Sequence, residues 1–174
     1  MLTRRAFGLA LPALALASSL RPAPGHAQAP LPAPTGAVLL TVKGRVARTN
    51  APGEARLDRD MLAALPQGRF TGETPWTKDT VTFTGPLGSA LLDLVGGSGT
   101  KMKVTALNDY SAEVPVADFR QHAVILATHR DGTPMAVRDR GPLWIIYPMD
   151  RDASLRNAVV YARSVWQIRD IELS

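Results

Sequence analysis

Gly141-Pro142-Leu143-Trp144-Ile145-Ile146-Tyr147-Pro148 is an unbroken apolar run fenced by prolines. Five consecutive apolar residues without polar alternation read as a strand buried on both faces. Just before it, Arg138-Asp139-Arg140 is a charged loop, and before that Asp131-Gly132 signals a tight hairpin turn leading into Met135 to Val137. Ala123 to Ala127 is a second continuous apolar strand. Further upstream, Met102, Val104 and Ala106 alternate with polar residues, as do Ala112, Val114 and Val116. Downstream, Ala153 to Ala162 has helical character, and Ser164 to Leu173 closes the chain as a strand. The apolar phase of that last strand slips between Ile168 and Ile171, which predicts a bulge near Arg169-Asp170.

The first half is more mixed. Val38 to Val46 is β-branched and strand-like, with Gly44 at a bulge position. Asp58 is placed to cap a short helix through Met61, Leu62 and Leu65, stopped by Pro66. Gln67 to Asp79 has turn chemistry in Gly68, Gly72 and Pro75, around Phe70 and Trp76. Val81-Thr82-Phe83 is a strand, and Leu87 to Val95 an amphipathic helix ended by Gly96-Gly97. Short strands interspersed with a few short helices predict an α+β fold with a β-dominated mixed sheet.

The N-terminus predicts export. Residues 1–27 join Arg4-Arg5 to an apolar run from Ala6 to Leu20 and end on Gly25-His26-Ala27. A basic start, a short apolar middle and small residues at the cut are the layout of a cleavable signal, here with a twin-arginine pattern. Cleavage near Ala27 would release the protein into the periplasm. Residues 28–36, rich in Pro and Ala, read as a flexible lead-in to a single domain over residues 37–174.

Composition narrows the chemistry. Arg4, Arg5 and Arg21 leave with the signal, so the mature domain is only mildly basic, and no basic run interleaved with aromatics suggests nucleic acid. The chain has no cysteine, which rules out disulfides and every thiolate metal site. His122 and His129 lie at no metal-ligand spacing, and no nucleophile elbow, phosphate loop or zinc-protease helix occurs. What remains is polar and aromatic residues gathered in loops: Trp76, Asn108-Asp109-Tyr110, Arg138-Asp139-Arg140 and Arg163-Ser164-Val165-Trp166-Gln167. Together they suit a flat, polar, anionic or amide-rich ligand: aromatics stack, Asn and Asp pair with ring amides, and Arg offers forked donors.

These residues carry a resemblance. From Trp76 to Ile171 the chain resembles the oxidoreductase molybdopterin-binding domain, the fold of the sulfite oxidase family. The matching stretches are Phe83-Thr84-Gly85-Pro86-Leu87, Ala106-Leu107-Asn108-Asp109-Tyr110, Val114-Pro115, Asp131-Gly132-Thr133-Pro134-Met135, residues 141–148 and Arg163-Ser164-Val165-Trp166-Gln167-Ile168. Catalytic members of that family hold molybdenum through a cysteine a few residues before the position of Trp76. Here the stretch reads Phe70-Thr71-Gly72-Glu73-Thr74-Pro75, without a thiol. The chain is more similar to a cysteine-less periplasmic branch, thought to bind a pterin without metal. That branch is thought to signal through an inner-membrane partner such as a cyclic-di-GMP enzyme or a sensor kinase.

The resemblance therefore implies a non-catalytic, ligand-dependent regulator. Its pterin, molybdopterin-like or reduced, would be held by Trp76, Asn108, Asp109, Tyr110, Arg138, Arg140, Tyr147, Arg163 and Trp166. The twin-arginine pattern keeps open a molybdenum-cofactor oxidoreductase whose metal is held by the pterin dithiolene. A scaffold that has lost its ligand and keeps only a partner surface is the third reading.

Overall fold

The computed structural model describes residues 29–174. The expected export signal and its cut near Ala27 lie outside the described residues. Among the described residues no helix is long and apolar enough to cross a membrane. Among the described residues, three sheets and four short α-helices form the α+β fold.

The largest sheet has five strands. Strands β1 (Leu40–Gly44), β2 (Glu54–Leu57), β5 (Lys101–Ala106), β6 (Ser111–Pro115) and β11 (Ile168–Leu173) run in the order β2-β1-β11-β5-β6. Only the β1–β11 pair is parallel, so the sheet is mixed. Its inner face is set by alternation: Leu40 and Val42 in β1, and Met102, Val104 and Ala106 in β5, are buried. In β11 the register shifts between Ile168 and Asp170, where the phase slip predicts a bulge. The extra residue lets Ile168, Ile171 and Leu173 all face the core.

The second sheet orders β3 (Gln67–Gly72), β4 (Val81–Pro86), β8 (His129–Arg130) and β9 (Thr133–Pro134), all antiparallel. The hairpin between β8 and β9 turns on Asp131 and Gly132, both at positive φ (49° and 77°), as the Asp-Gly pair predicts. The third sheet pairs β7 (Ile125–Ala127) with β10 (Trp144–Ile146), and every residue of both strands is buried. Helix α1 (Arg59–Ala63) is capped by Asp58, and α2 (Gly88–Val95) ends on Gly96 in the left-handed conformation. Helices α3 (Val116–Gln121) and α4 (Ala158–Arg163) complete the set.

Several expectations give way to the structure. The turn-rich reading of Gln67 onward is replaced over Gln67–Gly72 by β3, in register with β4. Gly68 and Gly85 face each other in that register; a Cβ on Gly85 would strike the Leu126 carbonyl, and one on Gly68 the Ile125 and Leu87 side chains. These glycines serve close approach to β7 rather than a turn. Alternation through Val116 does not continue as strand: β6 stops at Pro115, and Val116 and Phe119 bury themselves from α3. Met135 to Val137 is not a strand either, since a 3-10 turn over Val137–Asp139 follows β9. The expected helix over Ala153–Ala162 splits at Asn157, whose Oδ1 accepts the Val159 and Val160 amides at 3.0 Å each and starts α4.

The lead-in is extended but tied to the body. Leu31 is buried and its amide donates to the Thr49 carbonyl at 3.2 Å. The amides of Thr35 and Gly36 donate to Asp58 Oδ2 at 2.7 and 2.9 Å. One carboxylate thus caps α1 and fixes the entry of the chain.

Candidate functional site

The three tryptophans of the chain converge. Trp76, on the loop between β3 and β4, lies edge-to-face against Trp144 (5.4 Å between centroids), Tyr161 (5.7 Å) and Trp166 (5.9 Å). Trp144 also meets Trp166 at 6.0 Å and Phe83 at 5.2 Å. Buried Trp144 donates its indole N–H to the Ser164 carbonyl at 3.0 Å, which ties the 164–166 segment to β10. Edge-to-face geometry of this kind contributes about 0.5–1.5 kcal/mol per pair beyond area burial.

Beside this cluster is a cavity of about 360 Å³. Its walls include Trp76, Tyr161 and Trp166, with Asn108, Tyr110 and Ser164 supplying polar groups. The β5–β6 loop brings Asn108 and Tyr110 there through a tight local fold. Asp109 takes a positive φ of 64° and its amide donates to the Ala106 carbonyl, while Asn108 Oδ1 accepts the Tyr110 amide at 3.2 Å. The Leu107 amide donates to the Gln167 carbonyl at 2.8 Å, locking the loop to the segment that carries Trp166.

Four of the nine expected ligand residues line this cavity: Trp76, Asn108, Tyr110 and Trp166. The other five stand apart from its lining, each with a partner. Asp109 points to solvent and pairs with Arg169 at 3.2 Å. Arg138 is 87% exposed and faces Asp139 at 3.5 Å. Arg140 lies over the rings of Trp144 and Trp166, its guanidinium carbon 5.3 and 5.5 Å from their centroids. Tyr147 is fully buried and donates its hydroxyl to Asp118 Oδ2 at 2.7 Å. Burial and the Asp118 carboxylate push that phenol well above its ordinary range, so it stays protonated. Arg163 donates to the same Asp118 oxygen at 3.1 Å.

Tyr161 and Ser164 belong to the wall without having been expected there. Tyr161 gives no local signal beyond its place in a helix, whereas Ser164 sits inside the quoted Arg-Ser-Val-Trp-Gln stretch. Lining residues among those described carry no charge: Asp109 and Arg163 are paired elsewhere, while the Arg140 guanidinium lies against Trp144 and Trp166 behind the lining. The lining therefore suits a planar, amide-bearing ring, with the Arg140 cation close by.

A bicyclic pterin ring fits this lining. Aromatic walls offer stacking and edge contacts, and the Asn108 amide carries both a donor and an acceptor for a ring amide. Protein ligands to a metal are another matter. Among the described residues no group of three or more His, Asp or Glu side chains is placed to hold an ion. At the stretch where a thiolate would be expected, Thr74 is buried and committed to a local turn. Its Oγ1 lies 3.0 Å from Thr77 Oγ1 and accepts the Trp76 amide at 3.2 Å.

No protein-family profile matches the chain, and no curated protein does. Among solved structures, the chain is similar to the sulfane dehydrogenase SoxCD from Paracoccus pantotrophus, at 13% identity and a TM-score of 0.56. The similarity covers 76% of this chain and 37% of the SoxCD chain. At that identity the likeness concerns architecture alone: the chain shares its α+β fold with part of the SoxCD chain.

Proposed function

We propose that this chain is a periplasmic protein that binds a pterin and acts as a ligand-dependent regulator of an inner-membrane signalling protein. The observation that carries the reading is the uncharged, aromatic-walled cavity with an amide at its rim, set in a fold shared with an oxidoreductase chain. Trp76, Tyr161 and Trp166 would hold the ring, Asn108 would pair with its amide, and Tyr110 would offer a hydroxyl. A bound reduced pterin would supply a redox-active ring, and its presence or oxidation state would be the message. The export signal read from residues 1–27 supports the compartment, and the missing thiolate supports binding over metal catalysis. A cyclic-di-GMP enzyme or a sensor kinase is the proposed class of partner.

The test is extraction of protein purified natively through its export route, with fluorescent pterin and molybdenum assayed in the same sample. Pterin without metal is the expected result. Stoichiometric molybdenum would overturn it in favour of a molybdenum-cofactor oxidoreductase with the metal held by the cofactor's own dithiolene. The likeness to a sulfane dehydrogenase is what favours that second reading.

A further inference from the structure

Helix α4 is a lightly held wall of the cavity. Of its six residues only Val160 is buried, and Val159 is 58% exposed. A helix this short has no independent stability in water, so its position depends on what ties it down. The Asn157 cap and the Ser164 Oγ bond to the Val160 carbonyl (2.9 Å) hold the helix together but do not attach it to the body. At its C-terminal end the helix runs into Ser164 and Val165, which the Trp144 indole and the Ile145 amide fix to β10; the helix itself is attached by Val160, by Tyr161 against Trp76, by the long Tyr110 hydroxyl bond to the Ala162 carbonyl (3.4 Å), and by Arg163 on Asp118.

The last tie differs from the others. Asp118 stands on α3, which buried Val116 and Phe119 fix to the core, and its Oδ2 also receives the Tyr147 hydroxyl. If Arg163 lets go, the carboxylate keeps that donor, and the guanidinium, 29% exposed where it stands, passes into water. Opening takes the cation from Asp118 but leaves it a hydroxyl donor, so it costs less than orphaning a buried charge outright. Helix α4 also separates two spaces. Its inner side gives Tyr161 and Ala162 to the cavity, while Ala158, Val159, Ala162 and Arg163 line an outer groove of about 450 Å³ against β6.

We propose that α4 is a gate to the cavity, latched by the Arg163–Asp118 pair, and that its outward movement reshapes the groove between α4 and β6. Arg163 and Asp118 are then positioning residues that set ligand residence without touching the ligand. The proposal deepens the pterin reading and rests on it for its ligand, while the motion of α4 is measurable without one.

The experiment compares the full chain with Asp118→Asn, Asp118→Glu and Tyr147→Phe, first by amide hydrogen exchange without ligand. Asp118→Asn raises exchange across residues 161–163, the last turn of α4, about tenfold while β5 and β11 are unchanged. Asp118→Glu restores part of the protection, and Tyr147→Phe leaves α4 within about twofold of the parent. With a reduced pterin as probe, Asp118→Asn speeds dissociation about tenfold and alters association less. Unchanged exchange in α4, or an equal rise in β5 and β11, overturns the gate. If the parent binds no pterin, the functional reading fails by itself and the exchange comparison still decides the gate.

Discussion

Tyr147→Phe separates the role that the resemblance assigns to this residue from the role that the structure gives it. The substitution keeps the ring, which is fully buried, and removes only the hydroxyl that donates to Asp118 Oδ2 at 2.7 Å. A hydrogen bond to a charged acceptor contributes about 1.5–3 kcal/mol. Asp118 keeps Arg163 at 3.1 Å and its side chain is 14% exposed, so the lower end applies, about 1.5 kcal/mol. For a domain of this size each kcal/mol moves the midpoint by about 2–4 °C, which gives a fall of roughly 3–6 °C. Thermal unfolding followed by circular dichroism measures it, and urea unfolding checks it with an unchanged m-value. Because Tyr147 does not line the cavity, pterin affinity measured by tryptophan quenching stays within about twofold. A variant of parental stability, or one whose pterin affinity drops tenfold, would refute this placement.

At the cavity, Asn108→Ala weakens pterin binding about fivefold, the worth of one net hydrogen bond, whereas Asp109→Ala leaves it unchanged; fluorescence titration of both variants decides. Backbone donors from Met61 and Gly36 lower the Asp58 carboxylate from 3.8 to about 2. A lowered folded-state value means stabilisation present above about pH 4 and lost as pH falls toward 2. Urea midpoints of the parent and Asp58→Asn should therefore converge over that window, and a gap independent of pH would contradict the assignment. Gly85→Ala drives a methyl into the Leu126 carbonyl, where only backbone can yield, and costs at least about 1–3 kcal/mol, read as a lower melting temperature.

Features with a local cause were legible in the sequence. The Asp131-Gly132 turn needs two residues tolerant of positive φ, and the chain supplies them. The bulge in β11 follows from a slip in apolar phase, and the end of α2 from Gly96. What escaped depends on partners far along the chain. Asp109 is drawn off by Arg169, sixty positions away, and Tyr147 and Arg163 are both claimed by Asp118, an acid that no motif singled out. Val116 satisfies a strand phase and a helix phase alike, and only the burial of Phe119 chooses between them. Gly68 reads as a turn residue because close strand packing and tight turns call for the same missing side chain. Of the aromatic cavity, Trp76, Asn108, Tyr110 and Trp166 were legible from the loops that hold them, whereas Tyr161 became part of the wall only through the placement of α4.

The place of β11 has a consequence for when the protein can form. It lies in the interior of the five-stranded sheet, hydrogen-bonded to β1 on one side and β5 on the other, yet it follows every other described strand in sequence. While the chain is being made, β1 and β5 have no shared neighbour, and each holds an open edge until residues through Leu173 exist. The sheet therefore assembles around its latest-made piece, and a nascent chain stalled or clipped before Ile168 would be left as two unjoined halves.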